Sequence, residues 1–466
     1  MAPKFGTSGL RGLVSELTLD LVADYTRAFL RACPSGNGLW VGRDLRASSP
    51  ALAATVLQAA REMGVSTVDA GDLPTPALAL AAMSVGAAAV MVTGSHIPAD
   101  RNGLKFYLPD GEISKADEAA ILAALGGPLG NFAQDLEAAP VKRDAPGAGR
   151  AWSERYVKAF GPTALAGLRL GVWSHSAVSR DLLLETLREL GAEVIELGRS
   201  ETFIPIDTEA ISQKVRQTLI GWVQEYKLDA ILSTDGDGDR PLLTDAEGQV
   251  VPGDILGQIT ARIVGADTVV TPINSNTGPE RSKHFAKVIR TRIGSPYVIV
   301  GMAEAAHQAR VVGYEANGGF LLGFSAQGPA GVLPPLPTRD SLLPMLAPLS
   351  LAKASGGLAA LVAAEPKRFT AADRIEHISI ERAQTLLAQV ASDPARRAEL
   401  ASKLGEEIAA LDQTDGLRLT FKSERIFHMR PSGNAPEFRL YTEAETLSLA
   451  TDLLMKGLAE LRLSLQ

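Results

Sequence analysis

Three aspartates alternate with glycines in Thr234-Asp235-Gly236-Asp237-Gly238-Asp239-Arg240. The motif lies between two short apolar runs at 229–233 and 241–244, which read as strands. Alternation lets a loop turn three carboxylate oxygens toward one point, which is what a hard divalent cation requires. An EF-hand is excluded. Counting Asp235 as its first position, Arg240 stands where glycine is needed and Ala246 where glutamate is needed. A merely solvated acidic turn would have no use for the glycines.

A second segment, Val92-Thr93-Gly94-Ser95-His96-Ile97-Pro98, follows an apolar run. Small residues before Ser95 let its hydroxyl project from a tight turn, and His96 is placed to polarise or position it. Asn102-Gly103-Leu104-Lys105 adds a turn and a cation nearby. This is not the Gly-x-Ser-x-Gly elbow of α/β-hydrolases. A serine with an acidic metal triad elsewhere suits carriage of a phosphoryl group. Arg430-Pro431-Ser432-Gly433-Asn434-Ala435-Pro436 offers a guanidinium, a hydroxyl, an amide and backbone N–H groups, the makings of a phosphate cradle, with Arg439 and Tyr441 following. A Pro/Gly hairpin turn also fits it. Gly313-Tyr314-Glu315-Ala316-Asn317-Gly318-Gly319 pairs a carboxylate and an amide with close-approach glycines, a combination that reads vicinal hydroxyls. A plain glycine-rich turn fits as well. Gly6-Thr7-Ser8-Gly9-Leu10-Arg11-Gly12 is either a phosphate contact or a flexible N-terminal loop. Walker, dinucleotide-binding and zinc-protease motifs are missing from the sequence.

Positioning these segments takes alternating strands and helices. The pattern predicts a strand over 168–173, a helix over 180–190 stopped by Gly191, and a strand over 192–197 closed by Gly198. Residues 61–71 repeat the signature of 188–198: helix end, glycine, strand, glycine. Tandem homologous domains explain this, as does the general likeness of βαβ units. A further unit is expected from a strand over 268–272 and helices over 279–286 and 298–308. The apolar stretch 77–92 reads as a buried helix and then a buried strand, too short and interrupted to span a membrane. Beyond about residue 366 the texture changes. Helices over 380–390 and 393–411 precede strands over 417–421, 425–428 and 437–441, and a helix over 445–463 follows. That order predicts a separate α+β domain.

The 466 residues predict about three domains, within a range of two to four. With 46 basic and 53 acidic residues the net charge is −7. This argues against nucleic acid or an anionic membrane as the main partner, but leaves room for a local basic pocket. A hydrophobic fraction of 46% with 21% charged residues excludes disorder. A lone Cys33 excludes an intramolecular disulfide and fits a reducing compartment. With no apolar leader at the N-terminus, a cytoplasmic location is expected.

Taken in register from residue 5 to residue 444, with Val41-Gly42-Arg43-Asp44, Ser48-Ser49-Pro50 and Pro74-Thr75-Pro76 in support, these segments resemble the α-D-phosphohexomutase superfamily. The nearest likeness within it is to bacterial phosphomannomutases. The resemblance implies three related α/β domains with mixed sheets plus a C-terminal α+β domain around a central active-site cleft. Their expected spans are 1–145, 146–251, 252–366 and 367–466. It also implies a mechanism. Ser95 is the phosphorylated serine, and its phosphate with Asp235, Asp237 and Asp239 holds one Mg²⁺ per active site. Lys105 is the general acid/base, and Arg11 and Arg240 stand near the transferring phosphate, with His96 beside the serine. Arg430, Ser432, Gly433, Asn434 and Arg439 hold the phosphate that is not reacting. Glu315, Asn317 and Gly318 read the sugar.

The implied activity interconverts mannose 1-phosphate and mannose 6-phosphate through a hexose 1,6-bisphosphate, which is both intermediate and activator. Glucose, mixed and glucosamine phosphate mutases are the alternatives within the superfamily. A non-catalytic sugar-phosphate-binding paralogue and a Mg²⁺-dependent phosphatase are the alternatives outside it. The expected partners are hexose phosphates, with no nucleic acid and no membrane; the chain is expected to be a monomer or homodimer. Some positions depart from the superfamily's commoner pattern: Gly94 and Ile97 near the serine, Asn434 and Ala435 in the phosphate loop, and Asn317 and Gly319 in the sugar loop. Gly319 stands where histidine, one candidate acid/base, is common.

Overall fold

The computed structural model describes residues 3–6, 9–127, 141–143, 145–305, 309–432 and 436–465. Three mixed sheets repeat one strand order. In the first, Thr67–Asp72, Leu39–Arg43, Ala88–Val92 and Arg101–Leu108 lie side by side. The first two junctions are parallel and the third is antiparallel. Glu193–Leu197, Arg169–Trp173, Ala230–Thr234 and Pro241–Leu243 repeat that order and those directions. Lys287–Thr291, Thr268–Pro272, Val311–Tyr314 and Phe320–Leu322 do so again. Each sheet thus has a third strand that every residue buries: Ala88–Val92, Ala230–Thr234 and Val311–Tyr314. Such strands read as unbroken apolar or small-residue runs because both faces are covered.

The repeat seen at 61–71 and 188–198 has a backbone cause. Gly64 and Gly191 end their helices at φ of +75° and +92°, Gly71 marks a register shift near the end of its strand at +73°, and Gly198 leaves its strand at +56°. All four occupy the left-handed region that favours glycine. The fourth sheet is wholly antiparallel, in the order Phe369–Glu376, Glu437–Ala444, Ile426–Pro431, Leu417–Phe421, Ile408–Asp412. Helices Ile380–Ser392 and Leu447–Ser464 bury one of its faces around Phe427, Phe438 and Leu458. One continuous core instead joins the first three sheets, through Trp152, Leu170, Leu187, Leu256 and Leu346.

Two predicted helices are shorter than expected. The one placed over 279–286 stops at Arg281, and Lys287–Thr291 is a strand. Lys283 turns left-handed between them at φ +57°. The helix placed over 393–411 spans Pro394–Lys403. Gly405 then turns at φ +75°, and Ile408–Asp412 pairs along Leu417–Phe421. The strand Phe369–Glu376 was not expected; it is an edge strand with most side chains partly or fully exposed, so it lacks an apolar run. Residues 306–308 of the helix placed over 298–308 lie outside the described residues; the described helix is Ser295–Ala305. No helix among the described residues is long and apolar enough to cross a membrane.

Two buried histidines make the fold acid-sensitive. His175 bonds the Thr234 carbonyl at 2.9 Å, and His428 the Asp415 carbonyl at 2.6 Å. Burial pushes each imidazole down to about 4, against roughly 6.5 when unfolded. Below pH 6.5 the unfolded chain therefore binds protons that the native chain refuses. Stability is complete above about 6.5 and falls as pH drops toward 4, by up to ~3 kcal/mol per histidine. Urea unfolding of wild type and His428→Gln at pH 7.5 and 4.5 should show the substitution costing less at the lower pH. A pH-independent difference would contradict this.

Candidate active site

The C-terminal ends of the three buried strands carry the chemistry, as open α/β sheets generally arrange it. Ala88–Val92 runs into Ser95, Ala230–Thr234 into Asp235 and Val311–Tyr314 into Glu315. Ser95 is buried, at φ +55°. A strained serine of this kind persists only where its surroundings hold it. Arg46 does much of the holding. Its guanidinium donates to the carbonyls of Ser95 (2.9 Å), Ile97 (2.6 Å), Pro98 (2.7 Å) and Arg101 (2.9 Å). Asp44 anchors it at 3.0 Å, and it lies 3.9 Å from the Phe203 ring centre.

Across the site, Ser95 Oγ donates to Asp235 Oδ2 at 2.6 Å. Lys105 Nζ donates to Asp237 Oδ2 at 2.5 Å and Asp239 Oδ2 at 2.7 Å. Thr75 Oγ1 also donates to Asp237 Oδ2, at 2.7 Å. Arg339 Nη2 lies 3.0 Å from Asp239 Oδ2, and its Nη1 3.5 Å from Glu315 Oε2. The three aspartates are fully buried, and one carboxylate oxygen from each lies within 4.8 Å of the others. Burial and the charges of Asp237 and Asp239 drive the Asp235 carboxyl well above the usual range. Burial opposes ionisation of Asp237 too, but Lys105 and Thr75 hold its carboxyl well below that range.

A divalent cation fits this donor set. Oδ1 of Asp237 and Oδ1 of Asp239 are buried and have no hydrogen-bond partner among the described residues. An orphaned buried carboxylate oxygen is costly, and a hard cation satisfies it. The glycines between the aspartates are steric necessities. A Cβ on Gly236 would stand 2.9 Å from the Ser95 carbonyl and 2.8 Å from Phe203; Gly238 sits at φ +77°. Gly236→Ala should therefore push the serine loop off the aspartate loop, costing ~1–3 kcal/mol and about 10²-fold in kcat through misplacement. Steady-state kinetics and melting check this; near-wild-type kcat would remove the close-approach argument.

Positive charge surrounds the carboxylates. Arg11 is anchored in strand Leu10–Leu13, opposite Gly103, rather than in a loose terminus. Burial, then Arg240 and Arg339, push its guanidinium down to about 10. Arg240 Nη1 donates to His96 Nδ1 at 2.7 Å, and His96 Nδ1 lies 3.3 Å from Ser95 Oγ. Burial and the neighbouring Arg240 and Arg11 hold His96 neutral, well below the ordinary imidazole range. Asn317 is buried, and its Oδ1 accepts from Gly319 N at 2.9 Å. Gly318 (φ +86°) serves close packing, since a Cβ there would meet Pro241 at 2.7 Å.

In the fourth sheet Arg430 and Arg439 are cross-strand neighbours. Arg430 Nε binds Asp415 at 2.8 Å, and Arg439 binds Glu437 at 3.2 Å. Ser432 is buried at the end of its strand. Gly433 and Asn434 lie outside the described residues. Sequence reasoning missed Arg46 and Arg339, and it quoted Thr75 only as part of a supporting segment, with no role in the site. Arg339 also packs tightly on Gly319, where a Cβ would stand 3.1 Å from the Arg339 side chain and from Asn317 Oδ1. Arginine thus fills space beside the loop where a larger residue at 319 would point.

Comparison with known proteins agrees with this geometry. Models of phosphoglucomutase/phosphomannomutase α/β/α domains I, II and III match residues 2–126, 154–248 and 252–369. A phosphomannomutase of Sinorhizobium fredii is 46% identical over all of both chains. The chain belongs to the phosphoglucomutase/phosphomannomutase family. It is a member of the α-D-phosphohexomutase superfamily, whose enzymes are intramolecular phosphotransferases. A phosphomannomutase of Salmonella muenchen is 40% identical, with 98% of this chain and 95% of that one covered. Among solved structures, a family protein from Burkholderia thailandensis shares the fold at a TM-score of 0.78 and 20% identity, covering 99% of this chain and 98% of that one. An Aspergillus fumigatus N-acetylphosphoglucosamine mutase, solved with GlcNAc-6P and magnesium, shares it at 0.63 and 15% identity, covering 100% and 96%. The three-plus-one domain architecture expected from the sequence is that of the family.

Proposed function

We propose that the protein is a phosphomannomutase that interconverts mannose 1-phosphate and mannose 6-phosphate through a phosphorylated Ser95. One observation carries the reading: the buried Ser95 hydroxyl rests 2.6 Å from an aspartate triad that Lys105 also touches. The two full-length relatives at 46% and 40% identity are both phosphomannomutases, which favours mannose as the sugar.

Asp235, Asp237 and Asp239 would hold one Mg²⁺ together with the Ser95 phosphate. When bound, it offsets the negative charge that opposes attack by one anionic phosphate ester on another. This chain's own residues do the rest. Arg11 and Arg240 steady the transferring phosphoryl group, as charge-assisted donors do. Lys105 supplies the proton that Ser95 Oγ needs as it leaves, and removes it on the return transfer. Glu315 and Asn317 read sugar hydroxyls, and Gly318 brings their loop close. Arg430, Ser432, Gly433, Asn434 and Arg439 hold the phosphate at the other end. A hexose 1,6-bisphosphate formed at one transfer turns over and returns its second phosphate to Ser95. The intact serine, lysine and triad argue against a binding-only paralogue, which needs none of them together. A cytoplasmic setting fits the lone, buried Cys33.

A ³¹P NMR time course tests the reading. Mannose, glucose and glucosamine 1-phosphates are offered together with Mg²⁺ and a trace of hexose 1,6-bisphosphate. The mannose ester should move to its 6-phosphate first. Faster conversion of another sugar would reassign the substrate, and no conversion would overturn the mutase reading.

A further inference from the structure

Strand Leu336–Asp340 pairs with Phe320–Leu322, the strand that follows the sugar loop. Phe320 lies opposite Asp340 and Leu322 opposite Leu336, so the register slips between them. A bulge of this kind leaves residues out of the ladder and re-aims their side chains. Its surroundings are pinned in three directions. Thr338 Oγ1 donates to Glu112 Oε1 of the first sheet at 2.9 Å. Asp340 accepts from Trp152 Nε1 at 3.1 Å and from the Tyr156 hydroxyl. Ser341 Oγ donates to the Gly238 carbonyl of the aspartate loop at 2.7 Å. Arg339 stands among these tethers, buried, and its guanidinium divides between two loops. Nη2 lies 3.0 Å from Asp239 Oδ2, and Nη1 lies 3.5 Å from Glu315 Oε2. Both carboxylates are buried too. Glu315 Oε2 has no hydrogen-bond partner among the described residues, so its burial leans on the ion pair with Arg339.

We propose that Arg339 is a positioning residue for the transfer. It fixes the Glu315 carboxylate against the aspartate loop, and so sets the spacing between the group that reads the sugar and the groups that move the phosphoryl. The inference rests on the mutase reading above, in which Glu315 contacts the sugar. The geometry calls for arginine. A guanidinium is a rigid planar fork with separate donors at its two ends, so one side chain serves carboxylates on two loops. A lysine carries its ammonium about where the guanidinium carbon sits, short of one carboxylate or of both. The slipped register and the three tethers hold the fork in place from behind, as a group that orients another must itself be held. Packing of the Arg339 stem on Gly319 adds a fourth constraint, because it seats the sugar loop on the same side chain.

The experiment compares wild type, Arg339→Lys, Glu315→Gln and the double variant. Mannose 1-phosphate and, in parallel, glucose 1-phosphate are the substrates, and inorganic phosphate is the competitive inhibitor. Each single substitution should lower kcat/KM by about 10–100-fold, the scale of a small misplacement. Most of that loss should sit in KM, because a displaced carboxylate loses its sugar contacts in ground state and transition state alike. The double variant should fall no more than about threefold below Glu315→Gln, since Arg339 then has no charge to act through. Inorganic phosphate should inhibit Arg339→Lys and wild type within about twofold of each other, since lysine keeps the positive charge. Melting curves accompany each protein, and if Arg339→Lys melts below the assay temperature, Arg339→Gln carries the same cycle. Losses that multiply in the double variant, an unchanged KM in Arg339→Lys, or weakened inhibition by phosphate would overturn the positioning role while the mutase reading stands. A Glu315→Gln protein with wild-type KM would remove the sugar contact and the role of Arg339 together. If wild type converts neither sugar, the mutase reading falls as well.

Discussion

Ser95→Ala should abolish turnover, with kcat lowered by more than about 10⁴-fold, the scale on which loss of a covalent nucleophile registers. No other described hydroxyl matches its setting. Thr75 Oγ1 also faces the triad, but it donates to Asp237 from a helix start and stands on no strained turn. The substitution removes one hydrogen bond to Asp235, so stability should change by only ~1–2 kcal/mol. The strand Ala88–Val92 and the Arg46 clasp bond through backbone and would remain. Intact mass and ³¹P spectra of substrate-treated protein should show phosphate on wild type and none on the variant. A Ser95→Ala protein with wild-type turnover would sink the phosphoenzyme mechanism.

Lys105→Met should combine a large kinetic loss with a large loss of stability. Lys105 is buried, and its ammonium is shared by Asp237 and Asp239. Removing one partner from a buried ionic cluster leaves uncompensated charge, at a cost of about 3–5 kcal/mol. Arg339 still faces Asp239 and Thr75 still donates to Asp237, but neither replaces the ammonium that Lys105 brings between the two carboxylates. Mg²⁺ should then raise the melting midpoint of the variant more than that of wild type, because a bound cation stabilises the native state by mass action and replaces the missing charge. kcat should fall about 10²–10⁴-fold even at saturating Mg²⁺, since the metal restores charge but not the proton that Lys105 carries. Equal Mg²⁺ shifts in the two proteins would argue that the cation does not bind at the triad.

Much of this site was readable before folding because its parts are local. Asp235, Asp237 and Asp239 alternate within one loop, and Gly236 and Gly238 between them are there for close approach. Ser95 follows a run whose residues are all buried. Edge strands were harder to see. Lys287–Thr291 and Ile408–Asp412 carry mostly half-buried or exposed side chains, so neither shows an apolar run. The spacing of Leu400, Leu404, Ile408 and Leu411 prolongs a helical pattern that Gly405 in fact ends.

What the sequence by itself determined is the inventory: a nucleophile, a triad, a lysine, two glycine-rich loops, and a helix–glycine–strand–glycine signature written twice. These depend on residues within a few positions of one another, where backbone preference and periodicity act directly. Which groups meet was decided by the tertiary structure. Ser95 reaches Asp235 across 140 positions, Lys105 reaches Asp237 across 132, and Thr208 reaches Asn317 across 109. Arg46 and Arg339 carry no local signal. Their roles come from the fields and close contacts created when buried strands of separate sheets aim their ends at one place, and no spacing along the chain encodes that convergence.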